Sequence, residues 1–232
     1  MKNKLFFTTL AAVSGMIGAA NAQTIIFSES FGTSNSKGTL QSDTGLDNYN
    51  IGSIAFESIG GADVRTSSGS STTDYAGASG GNNVFLSDNS EGFYVFGIDY
   101  TGYASFTVSL GAYEAVGSYS GFTDDLLEVE YSFDSTSSTT GTWNSAAIVA
   151  STYTGNGWQD DLVSTESVSG TGSTLALRIT SEVGLNGVGS ADHDIRLDDL
   201  SVSAVSVPEP STYALLAGLL GLTFVMLRRR SA

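Results

Sequence analysis

Carboxylates and hydroxyls are the chemistry this sequence carries in quantity. It has 24 acidic residues against nine lysines and arginines, one histidine and no cysteine. Thiol nucleophiles, thiolate metal sites and cysteine-linked lipid anchors are excluded, and one imidazole without a thiolate makes a poor zinc site. Serine hydrolysis would need a nucleophile beside His193. Gly77-Ala78-Ser79-Gly80-Gly81 has the spacing of a nucleophile elbow. That elbow stands between a strand and a helix, and the following Asn82-Asn83-Val84-Phe85 offers no helix. Carboxylate pairs of the kind that cleave glycosides could come from Asp124-Asp125, Glu128 and Glu130, but their spacing is that of a solvated strand face. No catalytic residues are expected. Acids in this number suit a hard divalent cation, which carboxylates and backbone carbonyls satisfy; they also keep an exported protein soluble.

The elements that position these groups read as strands. The middle of the chain is rich in Gly, Ser and Thr, contains no proline and shows period-two apolar alternation. Leu127, Val129, Tyr131 and Phe133 alternate with Glu128, Glu130, Ser132 and Asp134. The same holds for Ala104, Phe106, Val108 and Leu110, and for Leu175, Leu177 and Ile179. Further strands are expected at 24–31, 51–59, 83–87, 92–98, 143–153, 162–169 and 193–204. About ten short strands in one domain-sized segment predict an all-β sandwich or barrel.

Parity then places two carboxylates. Ile25, Phe27, Glu29 and Phe31 share one face of the first strand, so Glu29 is in phase with the core. In the last strand Ile195, Leu197 and Asp199 share a face, yet the next apolar set is Leu200, Val202 and Ala204. The phase slips by one at Asp198-Asp199, as at a β-bulge. A buried carboxylate needs a partner or loses its charge. The expected partner is one structural Ca2+ held by Glu29, Asp199 and Asp198; the alternatives are a salt bridge to Arg178 or Arg196, or a solvated sheet edge. Sugar recognition would need exposed aromatic faces beside amides and carboxylates. Tyr153 and Trp158, within Tyr153-Thr154-Gly155-Asn156-Gly157-Trp158-Gln159-Asp160-Asp161, are the candidate glycan contacts. The competing expectation is that such aromatics plug the ends of the sandwich. Trp143, at a strand start, reads as core.

The two ends read as addresses. Met1 to Lys4 is basic, Leu5 to Gly18 is mostly apolar or small, and Ala20-Asn21-Ala22 is an A-x-A site. That order is a secretory signal peptide over 1–22, cleaved after Ala22 and engaging the secretion translocon. At the other end, 207–232, Val207-Pro208-Glu209-Pro210-Ser211-Thr212 holds the only two prolines, followed by an apolar run over 213–227 and then Arg228-Arg229-Arg230. Proline holds the preceding backbone extended, as a processing cleft requires. The run is expected as a single transmembrane helix, short at about 22 Å for 15 residues, with its arginines on the cytoplasmic side. Between the ends, 23–206 forms one domain with 4 basic and 23 acidic residues, a net of −19. Such a field repels phosphate backbones, so nucleic acid is excluded as a partner.

Pro208-Glu209-Pro210, the apolar run and the terminal arginines resemble the PEP-CTERM sorting signal of Gram-negative bacteria. The resemblance implies an exosortase-type membrane enzyme that removes the tail after transient residence at the inner membrane. It also implies a cell-surface or extracellular destination and a host that makes exopolysaccharide. Phe27-Ser28-Glu29-Ser30-Phe31-Gly32 and Ile195-Arg196-Leu197-Asp198-Asp199-Leu200-Ser201-Val202 are similar to the first and last strands of jelly-roll modules of the galactose-binding-like, MAM and carbohydrate-binding families. That likeness implies an antiparallel jelly-roll β-sandwich with first and last strands side by side, and a structural calcium near them. The function expected is a non-catalytic structural or interaction protein of the surface or matrix, working with exopolysaccharide, or alternatively a lectin-like carbohydrate-binding module.

Overall fold

The computed structural model describes residues 23–32, 37–49, 51–66, 72, 74–75, 77–87, 90–114, 127–150, 157–181, 195–207 and 210–230. Two compact units divide the chain: Thr24–Ala204, and a terminal unit that includes Val205 onward.

The first unit is an antiparallel jelly-roll sandwich. Its strands are β1 (Gln23–Glu29), β2 (Ala55–Ile59), β3 (Asp63–Arg65), β4 (Asn83–Leu86), β5 (Gly92–Asp99), β6 (Tyr103–Glu114), β7 (Leu127–Ser132), β8 (Asn144–Ala146), β9 (Ile148–Ala150), β10 (Gln159–Thr165), β11 (Val168–Ser169), β12 (Thr174–Ser181) and β13 (Ile195–Ser206). Eight of them form one sheet in the order β3-β4-β13-β6-β10-β9, with β1 paired to β13 and β11 to β6. The other five form the second sheet, β2-β5-β12-β7-β8. The first and last strands are therefore neighbours, as the jelly-roll resemblance implied.

Alternation explains which face each strand buries. Leu127 and Val129 of β7, Phe106, Val108 and Leu110 of β6, and Leu175, Leu177 and Ile179 of β12 all enter one core between the sheets. At one end of that core Tyr100, Phe106, Tyr131 and Phe133 pack ring against ring, with centroids 5.1–6.2 Å apart. Two expected strands each split in two, for different reasons. Within 143–153, β8 joins the five-stranded sheet and β9 the eight-stranded one, with only Ala147 between them. Within 162–169, β10 and β11 both pair with β6 but are separated by Glu166 and Ser167, and the Glu166 amide donates to the Ala147 carbonyl at 2.8 Å. The three-residue strand β3 was not expected, being too short to show a period.

In the terminal unit, helix α1 runs Pro210–Arg230. Proline is suited to a first helical position because its missing N–H would have no intrahelical partner. Arg228, Arg229 and Arg230 occupy the last turn, where their charges oppose the carbonyl end of the helix dipole. Leu215, Leu219, Leu222 and Phe224 are exposed. No helix among the described residues is long and apolar enough to cross a membrane. The helix expected at 213–227 thus forms, within Pro210–Arg230. The apolar stretch covers about 22 Å against a hydrocarbon core of about 30 Å. The signal segment 1–22, with Ala20 and Ala22, lies outside the described residues, as do Pro208 and Glu209. Val207 is described and exposed.

Candidate functional site

Where β1 meets β13 there is a cavity of about 410 Å³, lined by Glu29, Asp47, Asp199, Tyr75, Ser30 and Ser201 among others. The bulge expected at its edge is present. Asp199 has φ of 50°, a left-handed conformation unusual for a residue with a Cβ. It lets Leu197 and Leu200, three residues apart, both reach the core with 0 % exposure. The Tyr75 hydroxyl and the Ser79 amide donate to the Asp199 carboxylate, which holds the bulge from outside. Ser79 therefore caps a carboxylate from a turn with no helix after it, which leaves the serine-elbow spacing without its context.

Glu29 is 1 % exposed, so parity placed it correctly on the core side. Its partner is the turn that follows β1. The amide of Asp47 donates to Oε1 at 2.9 Å, and the amide and side-chain nitrogen of Asn48 donate to Oε2 at 2.9 and 3.0 Å. Asp47 in turn accepts the Ser30 amide at 3.1 Å and its hydroxyl at 2.5 Å. Burial raises the Glu29 pKa above the ordinary carboxylate range, and the three N–H bonds only partly counter it. Neither arginine considered as a partner supplies this role. Arg178 pairs with Glu130, and Arg196 donates to Asn83 and stacks over Phe85.

These residues carry the chemistry expected of a calcium site in part. Hard oxygen donors line the cavity, which is the chemistry Ca2+ takes, and Glu29 and Asp199 both reach it. Asp198 is fully buried, accepts the Asp199 amide at 2.8 Å and is not in the lining. Among the described residues no three acidic or histidine side chains form a group that could hold a metal.

The second site lies on the face of the five-stranded sheet that points away from the main core. Register places one residue from each strand in a single row: Glu57 opposite Tyr94, Tyr94 opposite Arg178, Arg178 opposite Glu130, and Glu130 opposite Ser145. At about 4.8 Å per strand, the row is about 19 Å long. Arg178 pairs with Glu130 through Nε and Nη2. Burial opposes its charge, but the hydrogen bonds to Glu130 and Tyr94 outweigh that and raise its pKa. Trp143 lies 5.2 Å from the Arg178 guanidinium and 5.4 Å from the Tyr94 ring, which stacks on Phe96 at 5.3 Å. Beside them is a cavity of about 330 Å³ lined by Tyr94, Arg178, Glu128, Glu130, Thr180, Ser181, Ser90 and Ile59.

The β7–β8 loop, 133–143, runs over this face. It leaves β7 near one edge of the sheet, yet Ser138 donates to Glu57 on the opposite edge strand at 2.7 Å. The loop therefore straps the sheet, and Tyr94, Phe96 and Ala176 are buried in a separate small cluster with Trp143 and Ile59 packed on it. Its base is closed by Asp134, which accepts the Ser132 hydroxyl at 2.6 Å and the Thr142 amide at 2.8 Å. The hydrogen bond from Ser132, then that from Thr142, hold its pKa below the usual value.

Two expectations are corrected here. Trp158 is 7 % exposed, with its ring 5.7 Å from Tyr113, so it is packing rather than an open sugar platform. Trp143 belongs to the strapped outer cluster and not to the main core. Tyr153 lies outside the described residues, as do His193 and Asp124-Asp125. The row Glu57–Tyr94–Arg178 was missed, although a signal existed. Gly92–Asp99 is apolar on both faces, so the face opposite Phe93 and Val95 had to be covered by something. The cover is the strap.

Fold and termini together define a jelly-roll body followed by a helix with a basic end. Residues 206–230 match the family model described as the PEP-CTERM protein-sorting motif, and the chain carries that motif. No curated protein matches the sequence. Among solved structures, the chain is similar to the CBM22-1–GH10 modules of Clostridium thermocellum endo-1,4-β-D-xylanase 10B complexed with xylohexaose, with TM-score 0.45 and 12 % identity over 81 % of this chain and 30 % of that one. The tandem CBM22-1–CBM22-2 domains of Paenibacillus barcinonensis Xyn10C give TM-score 0.45 and 16 % identity over 83 % and 49 %. The K1 cleaved adhesin domain of Porphyromonas gingivalis Lys-gingipain gives 0.33 and 12 % over 77 % and 97 %. The chain thus spans less than half of either of the first two, and no ligand or activity passes from them to it.

Proposed function

We propose that this chain is exported from a Gram-negative cell through its N-terminal signal and the translocon. An exosortase-type enzyme then processes it at the inner membrane, and it serves outside as a non-catalytic surface or matrix protein bound to exopolysaccharide. The sorting motif at 206–230 supports the route. An apolar run of about 22 Å, shorter than the hydrocarbon core, suits a segment read in transit. The observation that carries the ligand is the strapped row on the five-stranded sheet. The half-buried Trp143 lies 5.2 Å from the Arg178 guanidinium, which lines a cavity of about 330 Å³ together with Glu128 and Glu130. Aromatic faces cover the apolar side of a sugar ring, and fixed carboxylates accept its hydroxyls. The row favours a defined sugar site, the lectin-like alternative, over purely diffuse association. Biolayer interferometry of the full chain against the host's secreted polysaccharide tests this. Trp143→Ala and Arg178→Ala are each expected to weaken binding at least about tenfold, through the loss of an aromatic anchor and of the side chain that orients it. Undiminished binding by both variants removes the reading.

A structural Ca2+ at the β1–β13 cavity is proposed alongside it, held by Glu29 and Asp199. The donor chemistry and the net charge support it. Chelation is expected to lower the melting temperature and added Ca2+ to restore it; an unchanged melt in both directions counts against the ion.

A further inference from the structure

The strapped face carries a specific distribution of charge, and that distribution selects among polysaccharides. Arg178 is the one base among the described residues of the row and cavity lining, and it is paired. Its Nε and Nη2 go to Glu130, the Tyr94 hydroxyl is a further partner, and the Trp143 ring lies 5.2 Å away. Near it stand two more carboxylates that pair with no base among the described residues. Glu128 lines the cavity and accepts the Ser145 hydroxyl at 2.8 Å. Glu57, across from Tyr94, accepts the Ser138 hydroxyl at 2.7 Å. A sugar bearing a carboxylate or sulfate would meet two negative charges here, and the one cation among the described residues of the row and lining is already paired with Glu130. Like charges brought together at an interface suppress the wrong partner. Neutral hydroxyls are instead the donors that an ionised carboxylate accepts strongly, and an ammonium group would gain the attraction outright. The net −19 of residues 23–206 acts in the same sense at longer range.

Resting on the reading that this face binds glycan, we infer that its ligand is an uncharged or amine-bearing polysaccharide and that uronate- or sulfate-bearing chains are rejected. Glu57 and Glu128 are the residues that set this preference, and Arg178 is a positioning residue for Glu130 and Trp143.

The test uses the full chain and the host's secreted polysaccharide, separated by anion exchange into uncharged and acidic fractions, with a glucosamine hexamer as the amine-bearing probe. At low salt the uncharged fraction and the hexamer are expected to bind, and the acidic fraction at least about tenfold more weakly. The gap should narrow as salt screens it. The isosteric double variant Glu57→Gln, Glu128→Gln should weaken the hexamer most, weaken the uncharged fraction through the loss of two charged acceptors, and bring the acidic fraction within about threefold of the uncharged one. An acidic fraction that binds as tightly as the uncharged one overturns the inference while leaving the face as a glycan site. So does a double variant whose preference is unchanged. If no fraction binds, or if binding survives Arg178→Ala and Trp143→Ala together, the glycan reading itself fails and takes the inference with it.

Discussion

Replacing Glu29 by alanine isolates the joint between the first strand and the turn that follows it. The side chain is 1 % exposed and takes the Asp47 amide, the Asn48 amide and the Asn48 side-chain nitrogen at 2.9–3.0 Å. Alanine leaves these donors without an acceptor in a place where water has little access. Each orphaned buried donor costs about 1–3 kcal/mol, so the two amides alone cost about 2–6 kcal/mol. Part is returned, because the lost carboxylate was itself held out of water and its pKa is raised for that reason. A net loss of about 2–4 kcal/mol follows, which for a domain of this size lowers the melting temperature by roughly 10 °C. Far-UV circular dichroism on heating, with urea denaturation alongside, reads this directly. The pH dependence gives a second handle. A carboxyl whose pKa is raised on folding contributes stability that is fully present below its unfolded value, near 4.5, and is lost as pH rises through the raised value. In calcium-free buffer the wild-type protein should lose this increment over that interval, and Glu29→Gln should not. An alanine variant that melts within about 1 °C of wild type, with the same pH slope, would refute the account of Glu29 as the anchor of the turn.

Three further outcomes are expected. Trp143→Ala removes the contacts with Tyr94 and Arg178 and should cost about 2 kcal/mol in urea denaturation, with loss of near-UV dichroism. Asp134→Ala should loosen the strap, seen as a red shift of tryptophan emission. Because the Asp134 pKa is depressed, its contribution is present above the usual aspartate value near 3.8 and disappears as pH falls through the depressed one, so the wild-type strap should loosen in acid with the same spectral change. Gly97 and Gly102 both have positive φ, 77° and 82°, but only at Gly97 would a Cβ overlap the Ser53 carbonyl, while Gly102 has open space. Gly102→Ala should cost about 1–2 kcal/mol from the backbone conformation alone, and Gly97→Ala clearly more, measured by the same denaturation.

What was legible in the sequence follows from where information is local. Alternation in β6, β7 and β12 is a property of single segments, so their inward faces could be read off. The slip at Asp198-Asp199 was legible because a bulge changes phase within three residues, and the left-handed Asp199 bears it out. Parity could bury Glu29 but could not name its partners, since the amides of Asp47 and Asn48 come from a turn 18 residues away with no period. The strap was illegible for the same reason. Ser138 and Glu57 are 81 residues apart, and the polar run 135–141 looks like any loop until the sheet order brings its tip to the far edge. Trp158 misled because a glycine- and aspartate-rich neighbourhood reads as open surface, whereas Tyr113 covers its ring.

The single residue between β8 and β9 has a mechanical consequence. Ala147 carries the chain from one sheet to the other with no slack, and the Glu166 amide pins its carbonyl. The two layers cannot slide past each other at that corner without breaking a strand pairing. The strap, which enters β8 directly after Trp143, is tethered at its downstream end to both layers at once. Force applied to the loop is therefore shared across the whole thickness of the body instead of peeling an edge strand.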